Sequence, residues 1–260
     1  MSVALPLTKE AVPGPCAGPL TDRVILVVGA AGGLGCATSM AAARAGATVV
    51  LLGRKVRALE QLYDAICHEA LAQPAIFPLD LEGATADDYA ALADAIAGEC
   101  GRLDGIVHAA ARFDGLTPLA HVAPDAFMRT LHSNLAAPWL LTRACLPLLQ
   151  HQSDAAVIFV LDDPAEVAKP YRGAYGVAKS ALPALVAMLH AETDRTSLRI
   201  HGIRPGPMAT RLRARAYFAE DAGQLSGPVA CADAVVRLLG DGASPWRGKT
   251  VDVADIGNAS

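Results

Sequence analysis

Tyr175 and Lys179 are four positions apart in the segment Tyr175-Gly176-Val177-Ala178-Lys179. In a helix, this spacing puts the phenol and the ammonium on the same face, one turn apart. A nearby cation stabilises a phenolate, so it can lower the pKa of a tyrosine from its usual value of about 10. Such a tyrosine can donate or accept a proton in carbonyl and alcohol chemistry. The pair alone also fits an ordinary helix surface, so its interpretation depends on a second motif.

The second motif is a glycine-rich segment near the start of the chain. It reads Val28-Gly29-Ala30-Ala31-Gly32-Gly33-Leu34-Gly35. Glycines at 29, 33 and 35 let the backbone turn tightly and approach a pyrophosphate, and the N-terminus of the following helix favours an anion. A predicted strand before the segment and a predicted helix after it supply the context of a dinucleotide site. The alternative is a purely structural tight turn.

The residues at the end of the second predicted strand indicate which of two nicotinamide cofactors, NAD or NADP, the protein binds. NAD-binding sites usually place a carboxylate there for the ribose 2′-hydroxyl. This chain has Gly53 and Arg54 instead, and a guanidinium suits the 2′-phosphate of NADP. NADP is therefore predicted and NAD stays possible; a solvated basic turn is the alternative for Arg54. Asp80 and Leu81 follow the third strand, where Asp80 could hold the adenine amine or cap a short turn.

Alternating strands and helices must position these residues. Periodicity predicts strands over 23–28, 48–52, 75–79, 105–109, 155–161, 199–203 and 250–253. Helices are predicted over 35–45, 56–71, 87–100, 124–149, 175–193 and 231–239. This alternation predicts an α/β fold: a single Rossmann domain over 20–255 with a doubly wound parallel sheet of about seven strands. We expect 1–19 to be a flexible tail, 207–227 an irregular lid and 256–260 a short tail.

Composition excludes several other classes of protein. The chain has 260 residues, 53% of them hydrophobic, and a net charge of −4 without a long basic run, so no nucleic-acid surface is expected. The apolar runs are too short to span the ~30 Å of a bilayer core, and the N-terminus lacks the pattern of a signal peptide. The six dispersed cysteines indicate free thiols in a reducing cytoplasm. No metal site is predicted, because no ligand cluster accompanies His108.

With both motifs in place, the chain resembles the short-chain dehydrogenase/reductase family over residues 20–255. The resemblance rests on the residues in the family's order: Gly29, Gly33, Gly35, Asp80-Leu81, Asn134, Tyr175, Lys179, and Pro205-Gly206 followed by Thr210. Within the family, the segments Leu51-Leu52-Gly53-Arg54 and 204–211 are similar to the YciK-type bacterial oxidoreductases.

The resemblance implies a role for each matching residue. Tyr175 would be the acid in reduction and the base in oxidation, and Lys179 would hold the nicotinamide ribose. Asn134 would bend the long helix and anchor a water that relays protons. Thr210 would hold the nicotinamide carboxamide. The other cofactor-binding residues implied are Gly32, Leu34, Ala109, Ala110, Ala111, Pro205, Gly206 and Met208. Two structural alternatives to these roles remain open. Asn134 would cap a helix kink, and Thr210 would cap a helix over 211–216.

The chain departs from the family at the position of its catalytic serine. Family members carry a serine about a dozen residues before the tyrosine, and that position here is Asp162. An ionised carboxylate cannot donate a hydrogen bond to a carbonyl, and it raises the pKa of a neighbouring phenol. Three alternatives would rescue activity: Asp162 protonated beside Asp163, a cationic or hydroxyl-bearing substrate, or donation from Tyr171.

A second departure follows the fourth predicted strand. The family's Asn-Asn-Ala-Gly is here His108-Ala109-Ala110-Ala111. The asparagine normally ties the sheet together and the glycine leaves room for the adenosine ribose. His108 could replace one hydrogen bond, so we expect modestly altered cofactor binding.

Three functions are open at this point. The first is an NADP(H)-dependent oxidoreductase acting on a small carbonyl or alcohol. The second is a catalytically impaired dinucleotide-binding homologue with a regulatory or scaffold role, and the third, more remote, is a non-redox enzyme that uses Asp162. The resemblance implies a small-molecule substrate and a homodimer or homotetramer packed through the helices at 124–149 and 175–193.

Overall fold

The computed structural model describes residues 18–69 and 71–257. Most of the predicted N-terminal tail, residues 1–17, and residues 258–260 lie outside the described part. No helix within the described residues is both long enough and apolar enough to cross a bilayer.

Seven parallel strands form the sheet, in the order β3-β2-β1-β4-β5-β6-β7. The strands are β1 (Val24–Val28), β2 (Thr48–Gly53), β3 (Ala75–Pro78), β4 (Gly105–His108), β5 (Ala155–Val160), β6 (Leu198–Arg204) and β7 (Thr250–Asp252). The strand order reverses between β1 and β4, which is where doubly wound folds bind their ligands. The predicted fold class is confirmed.

Ten α-helices lie in the described part of the chain. They are α1 (Gly33–Arg44), α2 (Val56–His68), α3 (Ala86–Cys100), α4 (Pro124–Leu131), α5 (Ala137–Gln150), α6 (Pro164–Val167), α7 (Gly173–Thr193), α8 (Arg211–Ala216), α9 (Val229–Leu239) and α10 (Val253–Gly257). Most predicted bounds are right to within a few residues. The four-residue helix α6 was not predicted.

Helices cover the sheet on both faces because alternate side chains of each strand point to opposite sides. On β1, Ile25 and Val27 pack in a core with α1, α2 and α9. Leu26 and Val28 pack in a second core with α3, α5 and α7. Every residue of β1, β4 and β5 is buried, so these central strands are fixed from both sides.

The single helix predicted over 124–149 is wrong in one respect. A π-helical turn at His132–Ala136 separates α4 from α5. Pro138 lies in the first turn of α5, where a missing N–H costs little, so it does not break the helix. The turn leaves Ser133 and Asn134 buried.

The ends of the domain also differ from expectation. Residues 207–227, expected to be an irregular lid, contain the helix left open over 211–216, which is α8, and also a 3₁₀ turn at Ala222–Gln224. At the C-terminus, α10 runs past residue 255, the expected limit of the domain, and Ile256 is buried in the core beside α9.

Candidate active site

The glycine loop turns at the end of β1 and brings three backbone segments close together. Gly29 has a φ of +83°, and a Cβ on it would lie 2.7 Å from the backbone of Ala110. A Cβ on Gly35 would lie 2.1 Å from the carbonyl oxygen of Gly29. Gly33 faces the Thr210 side chain, with 3.2 Å from a built Cβ to Cγ2. Glycine is therefore required at 29 and 35 to close the turn.

The N-terminus of α1 has free capacity for an anion. Its cap, Gly32, has no side chain to satisfy the first N–H groups, and the first turn holds no acidic residue. Gly32 and Gly33 are exposed, whereas Leu34 is buried beneath them. A helix start with uncapped donors and partial positive charge is suited to a pyrophosphate. The loop therefore fits a dinucleotide, which would lie across the ends of β1 and β4.

Arg54 stands at the end of β2 and is more than half exposed. Its Nη1 contacts Glu82 Oε1 at 2.7 Å and lies 3.8 Å from Asp80 Oδ2. Arg112 also pairs with Glu82. The predicted adenine ligand Asp80 accepts the Glu82 N–H at 3.2 Å, as in a short turn, and Leu81 is half-buried. Glu82 and Arg112 carried no motif signal, because only folding brings them beside Arg54.

His108, the last residue of β4, fastens this strand end to helix α5 by a hydrogen bond and to β5 by ring stacking. Its Nε2 lies 2.9 Å from Thr142 Oγ1, and its ring stacks on Phe159 with centroids 4.7 Å apart. Complete burial, helped by the charge of Lys179, lowers the pKa of His108 to about 3. Ala109 and Ala110 are half-buried and Ala111 is exposed. The loop is thus anchored by a neutral imidazole.

Tyr175 lies in the first turn of α7 and is 6% exposed. Its hydroxyl donates to Asp162 Oδ2 at 2.6 Å, so the residue at the usual serine position does face the phenol. The second oxygen of this carboxylate accepts the N–H of Asp163 at 2.9 Å. Asp163 itself is exposed and caps α6 by accepting the Ala165 N–H. Tyr171 is exposed, and among the described residues it does not donate to Asp162.

Lys179 is one turn further along α7, and its ammonium is buried. It donates to the Val160 carbonyl at 2.7 Å and lies 5.9 Å from the centroid of the Tyr175 ring. Burial lowers the pKa of Lys179 to about 8, with the Asp162 charge opposing that shift. Burial, followed by the charge and the hydrogen bond of Asp162, raises the pKa of Tyr175 above its ordinary value. The phenol is therefore held protonated, the opposite of what the Tyr175–Lys179 spacing alone predicted.

Asn134 sits in the π-helical turn and holds the loop after β4. Its Oδ1 accepts the Arg112 N–H at 2.7 Å, and its Nδ2 donates to the Arg112 carbonyl at 2.8 Å. The side chain thus fixes the loop that carries Phe113.

Apolar and stacked side chains surround the phenol. Phe113 meets the Tyr175 ring edge-on at 5.2 Å, and Val167 and Ala216 belong to the same buried cluster. The Tyr217 ring lies between the guanidinium groups of Arg172 at 4.7 Å and Arg213 at 4.1 Å.

Tyr217 also fastens the lid to the segment after β5, because its hydroxyl donates to Glu166. Phe113, Arg172 and Glu166 were not singled out in the sequence. The one hint for Phe113 was an aromatic residue two positions after the alanine run.

The turn after β6 brings the remaining predicted residues to this edge. Gly206 has a φ of +70°, Pro205 and Met208 are half-buried, and Thr210 Oγ1 accepts the Arg213 N–H at 3.3 Å to cap α8. The capping alternative for Thr210 is confirmed. An open cavity of about 150 Å³ adjoins Tyr175 between Phe113 and Tyr171. In the described chain, no three His, Cys, Asp or Glu side chains converge as a metal site would need.

Comparisons with known proteins agree with this architecture. Residues 23–220 match the family model of the short chain dehydrogenases. The chain is 34% identical over 233 residues to the oxidoreductase YciK of Escherichia coli K12, covering 90% of this chain and 92% of that protein. The chain therefore belongs to the short-chain dehydrogenase family and is an oxidoreductase of that family. The predicted resemblance is confirmed.

Two solved structures are similar over almost the whole chain. A short chain dehydrogenase from Pseudomonas syringae is 37% identical, with a TM-score of 0.87, and the match covers 94% of this chain and 100% of that one. A short chain dehydrogenase from Escherichia coli CFT073, solved in complex with NADPH, is 34% identical with a TM-score of 0.87, covering 92% of this chain and 99% of that one.

Proposed function

We propose that the protein is an NADP(H)-dependent oxidoreductase that interconverts a small carbonyl compound and its alcohol, with Tyr175 as the proton-transferring residue. The observation that carries this proposal is the placement of Tyr175 and Lys179 on one face of α7, at the sheet edge that also holds the glycine loop. NADPH would supply the hydride. The chain's own residues would bind the cofactor, orient the substrate and hold the proton on the Tyr175 hydroxyl.

The glycine loop and Arg54 support the choice of NADP. The uncapped start of α1 would hold the pyrophosphate, and Arg54 would turn from Glu82 to the 2′-phosphate. A similar protein was solved with NADPH bound. Two further groups of residues line the same edge. The adenosine would contact Asp80, Leu81, Ala109, Ala110 and Ala111. The nicotinamide end would contact Pro205, Gly206, Met208 and Thr210.

Fluorescence titration tests the cofactor half of the proposal. NADPH should bind saturably, and Arg54→Ala should weaken it about tenfold or more while changing NADH binding little, since a charge-assisted pair to the phosphate is lost. Arg44→Ala is the matched control, because Arg44 pairs with Glu69 on an exposed surface elsewhere. An absence of saturable NADPH binding by the wild type would refute the proposal.

Turnover tests the catalytic half. Wild-type protein and Tyr175→Phe are compared for NADPH oxidation over a panel of small aldehydes and ketones. Loss of the proton donor should lower kcat by roughly 10²- to 10⁴-fold while NADPH affinity stays the same. Equal rates in the two proteins would remove Tyr175 from the mechanism.

A second candidate function is a dinucleotide-binding member with impaired catalysis and a regulatory or scaffold role. The observation in its favour is that the Tyr175 hydroxyl is engaged with Asp162 and the Lys179 ammonium with Val160. Asp162→Ser separates the two candidates. A gain of about tenfold or more over a silent wild type would favour impairment, since one oxyanion donor is worth roughly 10²–10³ in rate.

We also propose a cytoplasmic homodimer or homotetramer assembled through α4, α5 and α7. Four large apolar side chains on these helices are at least 45% exposed and support such packing: Met128, Trp139, Val177 and Met188. Sedimentation of the wild type and of Met188→Glu, with the lid variant Phe218→Glu as control, tests the assembly. Only Met188→Glu should shift the protein toward monomer.

A further inference from the structure

Asp162 offers hydrogen-bond acceptors beside the reacting position. A carboxylate has about four lone-pair sites on its two oxygens. One site accepts the Tyr175 hydroxyl at 2.6 Å and another the Asp163 N–H at 2.9 Å. The side chain is only half-buried, so a small molecule beside Tyr175 can reach the sites that remain.

The cations near this carboxylate are committed to other partners. The Lys179 ammonium donates to the Val160 carbonyl at 2.7 Å, and Arg172 lies between Glu166 and the Tyr217 ring. Within residues 18–69 and 71–257, the hydrogen bonds to Asp162 come from Tyr175 and Asp163 alone. In the described chain no Lys or Arg donates directly to Asp162, so a cationic substrate could pair with this carboxylate.

We propose that the site reduces small cationic substrates whose reacting group is a carbon–nitrogen double bond, an iminium whose N–H donates to Asp162, in preference to the neutral carbonyl of the same shape. This inference rests on the proposed function, because it uses the same cofactor and the same phenol. It names the substrate class that suits the carboxylate.

The chemistry differs between the two substrates in the charge that develops beside Asp162. In iminium reduction the carbon gains the hydride that NADPH supplies, the C=N π pair becomes the nitrogen lone pair, and the products are a neutral amine and NADP⁺. No proton moves in that step, so the Tyr175–Asp162 hydrogen bond can persist. Carbonyl reduction instead places a developing alkoxide next to a carboxylate, which is repulsive, and it requires Tyr175 to leave Asp162.

Asp162 also sets the protonation state of such a substrate. An adjacent carboxylate favours the charged form of a nitrogen base, so an imine would bind as the reactive iminium. The surrounding wall of Phe113, Val167 and Ala216 is apolar, and Phe113 supplies an aromatic ring. A flat organic cation fits this combination of one carboxylate and an apolar, partly aromatic wall.

A binding experiment tests the charge preference without turnover. Calorimetry compares benzamidinium with benzamide, a neutral molecule of the same shape, on the cofactor-free protein. Benzamidinium should bind about tenfold tighter or more, as for a partly buried charge pair. Asp162→Asn should reduce that ratio to near one, whereas Asp163→Asn, which changes the neighbouring exposed carboxylate and retains an N-cap residue, should preserve it. Equal binding of the two probes to wild type, or a ratio unchanged in Asp162→Asn, would overturn the inference.

A turnover experiment tests the reaction. With NADPH, kcat/KM for 3,4-dihydroisoquinoline should exceed that for α-tetralone by about tenfold or more, and Asp162→Ser should reverse the order. Faster reduction of the ketone by wild type, or faster oxidation of the matching alcohol with NADP⁺, would contradict the inference and leave the proposed function standing. Failure of NADPH to bind in the fluorescence titration would instead refute the proposed function. The calorimetry uses cofactor-free protein, so it would still test whether Asp162 prefers a cationic ligand.

Discussion

At the scale of single residues, the hydrogen bond between Tyr175 and Asp162 dominates the chemistry of the site. It joins the phenol to a carboxylate at 2.6 Å inside a largely apolar cluster. Burial and the carboxylate both raise the pKa of Tyr175, while the nearby Arg172 charge opposes them. A phenol in this environment is a poor base for alcohol oxidation but keeps its proton for reduction.

Replacing Asp162 with serine should move the titration of Tyr175 to lower pH. The substitution removes the charge and the hydrogen bond of Asp162 that raise the pKa of Tyr175, and burial remains the largest cause that raises it. Alcohol oxidation needs the phenolate, so its rate should begin to rise at lower pH in Asp162→Ser than in wild type.

The measurement is the pH profile of kcat for alcohol oxidation, supported by ultraviolet difference spectra of the phenolate against Tyr175→Phe. Asp163→Ser serves as the control, because Asp163 is exposed and does not contact the phenol. Superimposable pH profiles for Asp162→Ser and wild type would show that the Asp162 carboxylate does not raise the pKa of Tyr175.

The meeting of Asp162 and Tyr175 could be read from the sequence, because a strand end and a helix start at fixed spacing converge at one sheet edge. The ion-pair and hydrogen-bond partners of the other site residues could not be predicted from the sequence. The Glu82 contact with Arg54 and the position of Tyr217 between Arg172 and Arg213 depend on loops whose paths are set by tertiary packing. The Lys179 bond to Val160 likewise depends on how deeply α7 packs against β5.

At the scale of elements, the glycine loop depends on close contact between the ends of β1 and β4. Gly29 has a positive φ and touches the backbone of Ala110, so it links the two strands that flank the switch point. The sequence predicted this loop correctly because strand, glycine spacing and helix all indicated it. The resemblance implied a bend at Asn134 but not its form, a π-helical turn at His132–Ala136 from which Asn134 pairs with the backbone of Arg112.

Gly29→Ala should damage both stability and cofactor binding. The new Cβ would be strained at φ +83° and would lie 2.7 Å from Ala110, so we expect a loss of about 2 kcal/mol or more and much weaker NADPH binding. Gly101→Ala is the matched control: its φ is +71°, but nothing lies within 4 Å of its Cβ, so the cost should be about 1 kcal/mol with unchanged NADPH affinity.

Urea unfolding and NADPH fluorescence titration measure the two effects. Equal destabilisation by the two substitutions would mean that backbone conformation alone, and not the contact with Ala110, requires glycine at position 29.

At the scale of the whole molecule, two buried histidines should make the fold sensitive to acid. Burial lowers the pKa of His108 to about 3, and burial lowers the pKa of His201 to about 4. An unfolded histidine has a pKa of about 6.5, so the unfolded chain takes up these protons first as the pH falls. Stability should be complete above about pH 6.5 and decline steadily toward pH 4.

His108→Asn should reduce this sensitivity. Between about pH 7.5 and about pH 5, the free energy of unfolding should fall by about 1 to 2 kcal/mol less in the variant than in wild type, because one titrating group is gone. Urea unfolding at the two pH values gives the difference and cancels the packing lost at Phe159. Exposed His121→Asn is the control and should behave as wild type. Identical pH dependence in His108→Asn and wild type would exclude His108 as a source of acid sensitivity.

The fold as a whole was the most predictable level, because buried strands and apolar helix faces repeat along the chain and determine the layers. The reaction is the least determined, because one substitution, Asp162 for serine, changes the charge at the reacting atoms.

The most direct test of the account is transfer of deuterium from NADPH labelled at the nicotinamide C4 into the product of a carbonyl or iminium substrate, measured by mass spectrometry. The account predicts one deuterium per product molecule with wild type. With a carbonyl substrate it also predicts a much smaller yield with Tyr175→Phe, because alkoxide formation needs the phenol proton and iminium reduction does not. Saturable NADPH binding without deuterium in any product, from wild type and Asp162→Ser alike, would contradict it.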